Sequence, residues 1–259
     1  MLKVQKNSEK TIALVYGIYI NSLVNWKKIL GRQILDIKKS GILDLSDIYL
    51  IVSNPDSVPQ VEDYLRQLDF KNIIIHAENK YEYPALHFIW MLSRQKNSYQ
   101  YMIYMHTKGM SYAKKRRNKT EEILTHYTLK FWRDYLTIFD EHDQVNKIGI
   151  LPGEGSGFGD EQQKYTHLKG WVWFNFWWAR KSYIATLPEP IETSDRYYYE
   201  YWLGLQEANQ NQNDTYSMYT HQTQFFKSDV AENILMRLYE KNRFRFKLKS
   251  MLQRFLRRV

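Results

Sequence analysis

Between Thr11 and His106 the chain alternates four short β-branched, apolar runs with segments of helical period, and this alternation constrains the fold more than any other feature. Thr11 to Ile20 reads as a strand. Ser22 to Lys39 has helical periodicity and stops at Ser40-Gly41, and Ile48 to Ser53 is a second strand punctuated by Asn54-Pro55. Val58 to Leu68 reads as a helix. Asn72 to His76 is a third strand with three consecutive isoleucines, and Pro84 to Arg94 a helix with proline in its first turn. The fourth strand is the aromatic run from Tyr99, which stops abruptly at His106-Thr107-Lys108-Gly109. Strands separated by helices of this length are joined by crossovers, so the expected fold class is α/β with a doubly wound, mostly parallel sheet and flanking helices.

The pattern then changes. Thr120 to Asp140 has the period of one long amphipathic helix, Lys147 to Leu151 reads as a strand, and Pro152 to Lys169 as a Gly-rich polar stretch. Aromatic residues dominate Trp171-Val-Trp-Phe-Asn-Phe-Trp-Trp178. No internal repeat or linker divides the chain, so residues 1–230 are expected to form one domain and residues 231–259 a C-terminal segment.

A length of 259 residues with 44% hydrophobic content supports a full core. The absence of cysteine excludes disulfides, Cys-ligated metal sites and thiol catalysis. The first ten residues have no apolar h-region, and no run approaches the roughly 18 apolar residues of a spanning helix. The expectation is a cytoplasmic protein, peripheral on the inner face of a membrane.

Charge distribution supports the peripheral part of that reading. Of the formal net charge of +9, the tail from Lys241 carries eight basic residues and no acid, namely Lys241, Arg243, Arg245, Lys247, Lys249, Arg254, Arg257 and Arg258. The remaining chain is nearly neutral, which disfavours a nucleic-acid groove built into the domain. Phe244, Leu248, Met251, Leu252, Phe255, Leu256 and Val259 recur at helical spacing, so residues 241–259 read as a basic amphipathic helix suited to an anionic bilayer. A helix docked on its own domain is the plainer alternative. The alternation Arg243 to Lys249 also permits a short strand.

Nucleotide motifs with a fixed spacing are missing: there is no Gly-x-Gly-x-x-Gly after the first strand and no Walker loop. The run Gly153-Glu-Gly-Ser-Gly-Phe-Gly159 leads into polar residues, so it reads as a surface loop, with a substrate lid as its functional counterpart. The βα half, the polar break after the fourth strand, the block Asn175-Phe-Trp-Trp-Ala-Arg180 and Asp195-Arg-Tyr-Tyr-Tyr-Glu200-Tyr-Trp202 together resemble a glycosyltransferase of GT-A fold. Tyr-x-His-Thr-Lys-Gly with these later motifs is similar to bacterial and viral surface-polysaccharide transferases of the rhamnan-synthesis type. The resemblance covers roughly residues 11 to 205.

It implies a GT-A-like enzyme that takes a hexosyl or deoxyhexosyl group from a nucleotide-diphosphate sugar to a glycan or lipid-linked acceptor in surface polysaccharide or lipopolysaccharide synthesis. In that fold the fourth strand ends in Asp-x-Asp, whose carboxylates hold a divalent metal. Here His106, Thr107, Lys108 and Gly109 stand in its place, so a cationic diphosphate site is expected and a Mn²⁺ or Mg²⁺ cofactor is not favoured. Lys114-Lys-Arg-Arg117 with Lys119 reads as a solvated loop beside it. The resemblance further implies Glu200 as the general base of an inverting displacement, with Asp195 as competitor, although Ser194-Asp195 also reads as a helix N-cap. Asn175 and Arg180 are expected to face the donor sugar or its phosphates, and Trp177, Trp178 and Tyr198 to stack on the acceptor. Tyr16, Gly17, Asn54, Glu78 and Asn79 are the expected lining of the nucleotide pocket. Two rival readings are a non-catalytic carbohydrate-binding protein, in which Glu200 is structural, and a nucleic-acid binder acting through the tail.

Overall fold

The computed structural model describes residues 10–68, 70, 72–108, 110, 118–155, 168–206 and 214–256, with backbone alone at 118 and 243–256. Its first half is the expected alternation. Strands β1 (Ile12–Tyr19), β2 (Ser46–Ser53), β3 (Asn72–His76) and β4 (Tyr101–His106) are separated by helices α1 (Trp26–Ser40), α2 (Val61–Arg66) and α3 (Tyr83–Arg94). All four strands are parallel: β1 lies between β2 and β4, and β3 lies outside β2. The chain thus builds outward from β1 to β3 and returns to β4 on the other side. This reversal creates a switch point between the C-terminal ends of β1 and β4, where open α/β sheets form a crevice.

Local chemistry sets the helix ends. Helix α1 starts later than its periodicity suggests because Asn25 caps it, its side chain accepting from the Lys28 amide. The helix ends where Gly41 takes φ 77°. The expected single helix from Thr120 is two, α4 (Asn118–Lys130) and α5 (Trp132–Glu141), broken at Phe131.

The second half extends the same sheet. Strand β5 (Lys147–Gly149) is followed by a ribbon of β6 (Pro152–Glu154) and β7 (Lys169–Val172), then β8 (Trp177–Arg180), β9 (Thr215–Ser217) and β10 (Gln222–Thr223). The eight-stranded sheet has the order β10-β9-β5-β8-β4-β1-β2-β3, with β8 antiparallel to both β4 and β5. Pro152 to Glu154 and Lys169 therefore pair as strands where a loop is expected; of the Gly153–Gly159 run read as a surface loop or lid, 153 and 154 lie in β6 and 156–159 lie outside the described residues. Gly153 is required by packing, since a Cβ there would stand 2.2 Å from Nε1 of the buried Trp171.

Helices α1 and α4 pack together, and α3 packs with the short α6 (Lys181–Ile184). The last helices are α7 (Arg196–Tyr201) and α8 (Ser228–Leu256). At 29 residues α8 is about 43 Å long. Its first turns bury Ala231, Ile234, Leu235 and Leu238, and the helix packs on α4. The backbone stays helical through 243–249, so the strand alternative does not hold. The side chains from 243 onward, on which the bilayer reading rests, lie outside the described residues. Among the described residues no helix is long and apolar enough to cross a membrane.

Candidate active site

The C-terminal ends of β1 and β4 carry the first group of candidate residues. Gly17 pairs with His106 across the two strands, and their side-chain positions share the face that also holds Tyr104. Tyr104 is fully buried, yet its hydroxyl needs a partner. It donates to Oε2 of Glu82, 2.9 Å away at the N-cap of α3. Only a glycine at position 17 leaves this path open, because a Cβ there would lie 2.9 Å from the Tyr104 hydroxyl oxygen. Gly17→Ala is expected to cost about 1–3 kcal/mol through overpacking, read as a lower urea midpoint at unchanged m.

Glu82 also accepts from Asn175 Nδ2 at 2.9 Å, again through Oε2. Asn175 is completely enclosed and uses the rest of its amide as well. Nδ2 donates to the Tyr199 carbonyl at 2.8 Å, and Oδ1 accepts from Trp177 Nε1 at 3.2 Å. The backbone here is strained, with Phe174 at φ 70° and Asn175 at φ 55°, two successive non-glycine residues in the left-handed region. Each such residue costs roughly 1–2 kcal/mol unless its surroundings impose it.

Those surroundings are the polar end of β4. The Phe174 carbonyl accepts from His106 Nε2 at 2.9 Å, and Lys108 Nζ lies 4.6 Å from the centre of the Phe174 ring, a cation–π contact. A carbonyl can only accept, so Nε2 carries the ring proton. Burial drives His106 below its ordinary pKa, the Glu82 carboxylate opposing and Lys108 adding to that shift. The ring is therefore neutral at pH 7, and Lys108, not His106, supplies positive charge here. Glu200, half-buried on α7, directly follows Tyr199, whose carbonyl accepts from Asn175, so α7 reaches the same turn; the charge of Glu200 acts on the His106 ring only weakly, against the effect of burial. Among the described residues nothing hydrogen-bonds the Glu200 carboxylate.

Several other candidates are used elsewhere. The Thr107 hydroxyl accepts from the Tyr19 amide at 2.8 Å and is buried, so it ties β4 to β1. Tyr16 points to the opposite face, where its hydroxyl donates to Gln33 Oε1; Gln33 in turn donates to the His106 carbonyl at 3.1 Å. Arg180 pairs with Tyr101 at the start of β4, roughly 16 Å from His106 at the usual rise per residue. Its guanidinium donates to the Val145, Phe139 and His142 carbonyls, so it closes the far edge of the sheet and does not face the crevice. Asn54 closes a turn on Val58 through both ends of its amide. Glu78 pairs with Lys80, and Asn79 accepts from the Tyr81 amide. Gly109 and residues 114–117 lie outside the described residues.

The expected aromatic platform is mostly core. Trp177 and Trp178 have no exposed surface, and Trp178 Nε1 donates to the Thr128 carbonyl. Tyr198 is buried, its hydroxyl accepting from Ile191. Asp195 caps α7, its carboxylate accepting from the Tyr197 amide at 3.1 Å. Asp195→Ala should therefore lower stability by about 1 kcal/mol, measurable by thermal unfolding.

Glu82, Tyr104 and Phe174 join the site without having been singled out from the sequence. The only local signal for Glu82 is its place before Pro84 at a helix start. Among the described residues no group of three His, Asp or Glu side chains is placed to hold a metal ion, and Glu82 Oε2 already accepts two hydrogen bonds.

The architecture is α/β, a mostly parallel eight-stranded sheet with flanking helices. No family model matches the chain, and no curated protein matches it. Among solved structures it is similar to the 1–349 portion of Staphylococcus aureus TarS, at 10% identity and a TM-score of 0.41, over 76% of this chain and 56% of that one. It is also similar to a 4-diphosphocytidyl-2C-methyl-D-erythritol synthase from Anaerococcus prevotii, at 12% identity and a TM-score of 0.38, over 73% of this chain and 82% of that one. The chain spans little more than half the length of the TarS structure.

Proposed function

We propose that this protein is a glycosyltransferase that uses a nucleotide-diphosphate sugar. The observation that carries the reading is geometric: at the sheet switch point the Phe174–Asn175 turn holds Lys108 against the Phe174 ring at 4.6 Å and binds the Tyr199 carbonyl, the residue before Glu200, through the Asn175 amide at 2.8 Å. In the proposed reaction an acceptor hydroxyl attacks the anomeric carbon and passes its proton to Glu200. The bond from that carbon to the diphosphate oxygen breaks, and the oxygen keeps the electron pair. Lys108 stabilises the charge that develops on it. One base and one stabilised leaving group suffice for inversion in a single displacement.

The acceptor is proposed to be a glycan or lipid-linked saccharide of surface polysaccharide, presented at the cytoplasmic face of a membrane. Residues 241–259 would hold the enzyme there through anionic lipid, since basic and apolar residues recur at helical spacing in their sequence and α8 continues past the docked turns to Leu256. Vesicles containing phosphatidylserine or phosphatidylglycerol test that part.

A thermal-shift series with UDP-glucose, UDP-N-acetylglucosamine, GDP-mannose and dTDP-rhamnose, with Mn²⁺ and with EDTA, tests the donor. A ligand that binds only the folded state raises Tm. The effective donor should act equally in EDTA, and Lys108→Ala should weaken it by about tenfold or more, as loss of a charge-assisted contact does, with little change in unliganded Tm. A strict Mn²⁺ requirement together with an indifferent Lys108 would overturn the assignment.

A further inference from the structure

The strained Phe174–Asn175 turn touches every part of the candidate site, and one side chain restrains it from outside. The turn meets β4 through the His106–Phe174 hydrogen bond and the Lys108–Phe174 ring contact. It meets α7 through the Asn175 amide and the Tyr199 carbonyl, one residue before Glu200. It meets α3 through Glu82. Of these contacts the one to Glu82 is distinctive, because a single carboxylate oxygen accepts both from Asn175 and from the buried Tyr104 hydroxyl of β4. The carboxylate thus bridges the turn to the strand that carries His106 and Lys108.

We propose that Glu82 is a positioning residue: by holding Asn175 and Tyr104 on one oxygen, it fixes the left-handed turn against β4 and sets where Lys108 and His106 stand. The bridge follows from the geometry of the free protein. Its consequence for a bound diphosphate rests on the transferase reading above.

Charge and hydrogen bonding can be separated, since both bonds end on Oε2. Glutamine can place its single carbonyl oxygen there and keep both donors satisfied, losing only the charge. Alanine loses both bonds. Asn175 has a built-in reporter, because its Oδ1 accepts from Trp177 Nε1. The experiment records the Trp177 indole N–H resonance and the His106 titration by NMR in the labelled full chain, for wild type, Glu82→Gln and Glu82→Ala. It pairs these with calorimetric affinity for the four nucleotide sugars named above.

Glu82→Gln should leave the Trp177 signal in place and lower the His106 pKa, because the carboxylate that opposes burial is gone. Donor affinity in this variant should stay within about threefold of wild type, and Glu82→Ala should shift the Trp177 signal and weaken the donor by about tenfold. An unmoved Trp177 signal in Glu82→Ala would overturn the bridge. So would a glutamine variant as impaired as alanine, which would make Glu82 a charge contact for ligand. If none of the four sugars binds the wild type, the transferase reading loses its support while the Trp177 signal still decides the bridge.

Discussion

Glu200→Gln is expected to lower sugar transfer by about 10²–10⁴-fold, the usual contribution of a positioned general base, while leaving Tm where it is. The two halves of that expectation have separate causes. Glu200 sits half-buried on α7 with no hydrogen-bond partner among the described residues, so an isosteric amide removes no structural contact. A surface change of that kind stays within about 0.5 kcal/mol. The amide cannot take the proton of an attacking hydroxyl, and the loss should fall on kcat more than on KM. Asp195 behaves in the opposite way: as the cap of α7 it should cost stability when removed and affect turnover only through helix placement. Initial rates with the donor found by thermal shift, for Glu200→Gln and Asp195→Asn together, distinguish the two carboxylates. Wild-type turnover in Glu200→Gln would take Glu200 out of the mechanism, whereas a wild type that binds sugars without transferring them would favour a carbohydrate-binding role.

The parallel half of the fold was legible because its signal is local. β1 is buried along almost its whole length, as a strand flanked by helices on both faces must be, and its apolar run says so directly. The Trp171–Trp178 block carries no such signal. Its aromatic residues have neither helical nor strand period, and it folds as the end of β7, a strained turn and the start of β8. The His106–Lys108 break could be found because it ends an apolar run, whereas the switch point needed the pairing of β4 with β1. What Thr107 and Arg180 do could not, because Thr107 is consumed by Tyr19, 88 positions away, and Arg180 belongs to the opposite edge once β8 runs antiparallel. Glu82 was hidden for the same reason: its partner Asn175 is 93 positions distant, and nothing in Tyr81-Glu82-Tyr83-Pro84 announces it.

Trp178→Ala should cost about 3–5 kcal/mol, enough to unfold a marginal domain at growth temperature, without touching donor recognition in the molecules that remain folded. Trp178 has no exposed surface, packs 5.2 Å from the Tyr135 ring, and spends its indole N–H on the Thr128 carbonyl. Truncation therefore opens a cavity and leaves a buried carbonyl without a partner, two penalties that add. Trp177 is equally enclosed but stands on the other face of β8, against Tyr104 and Asn175. Its alanine variant should lose comparable stability and donor affinity as well, since the Asn175 amide loses its donor. Urea unfolding and calorimetry at a temperature where both variants are folded separate the two effects. If the tryptophans were sugar platforms, the result would invert: stability would barely change, and the acceptor KM would rise in both. The composition of this block suggests a carbohydrate groove, whereas the burial of its indoles makes them core, with Trp177 alone supporting the strained turn through Asn175.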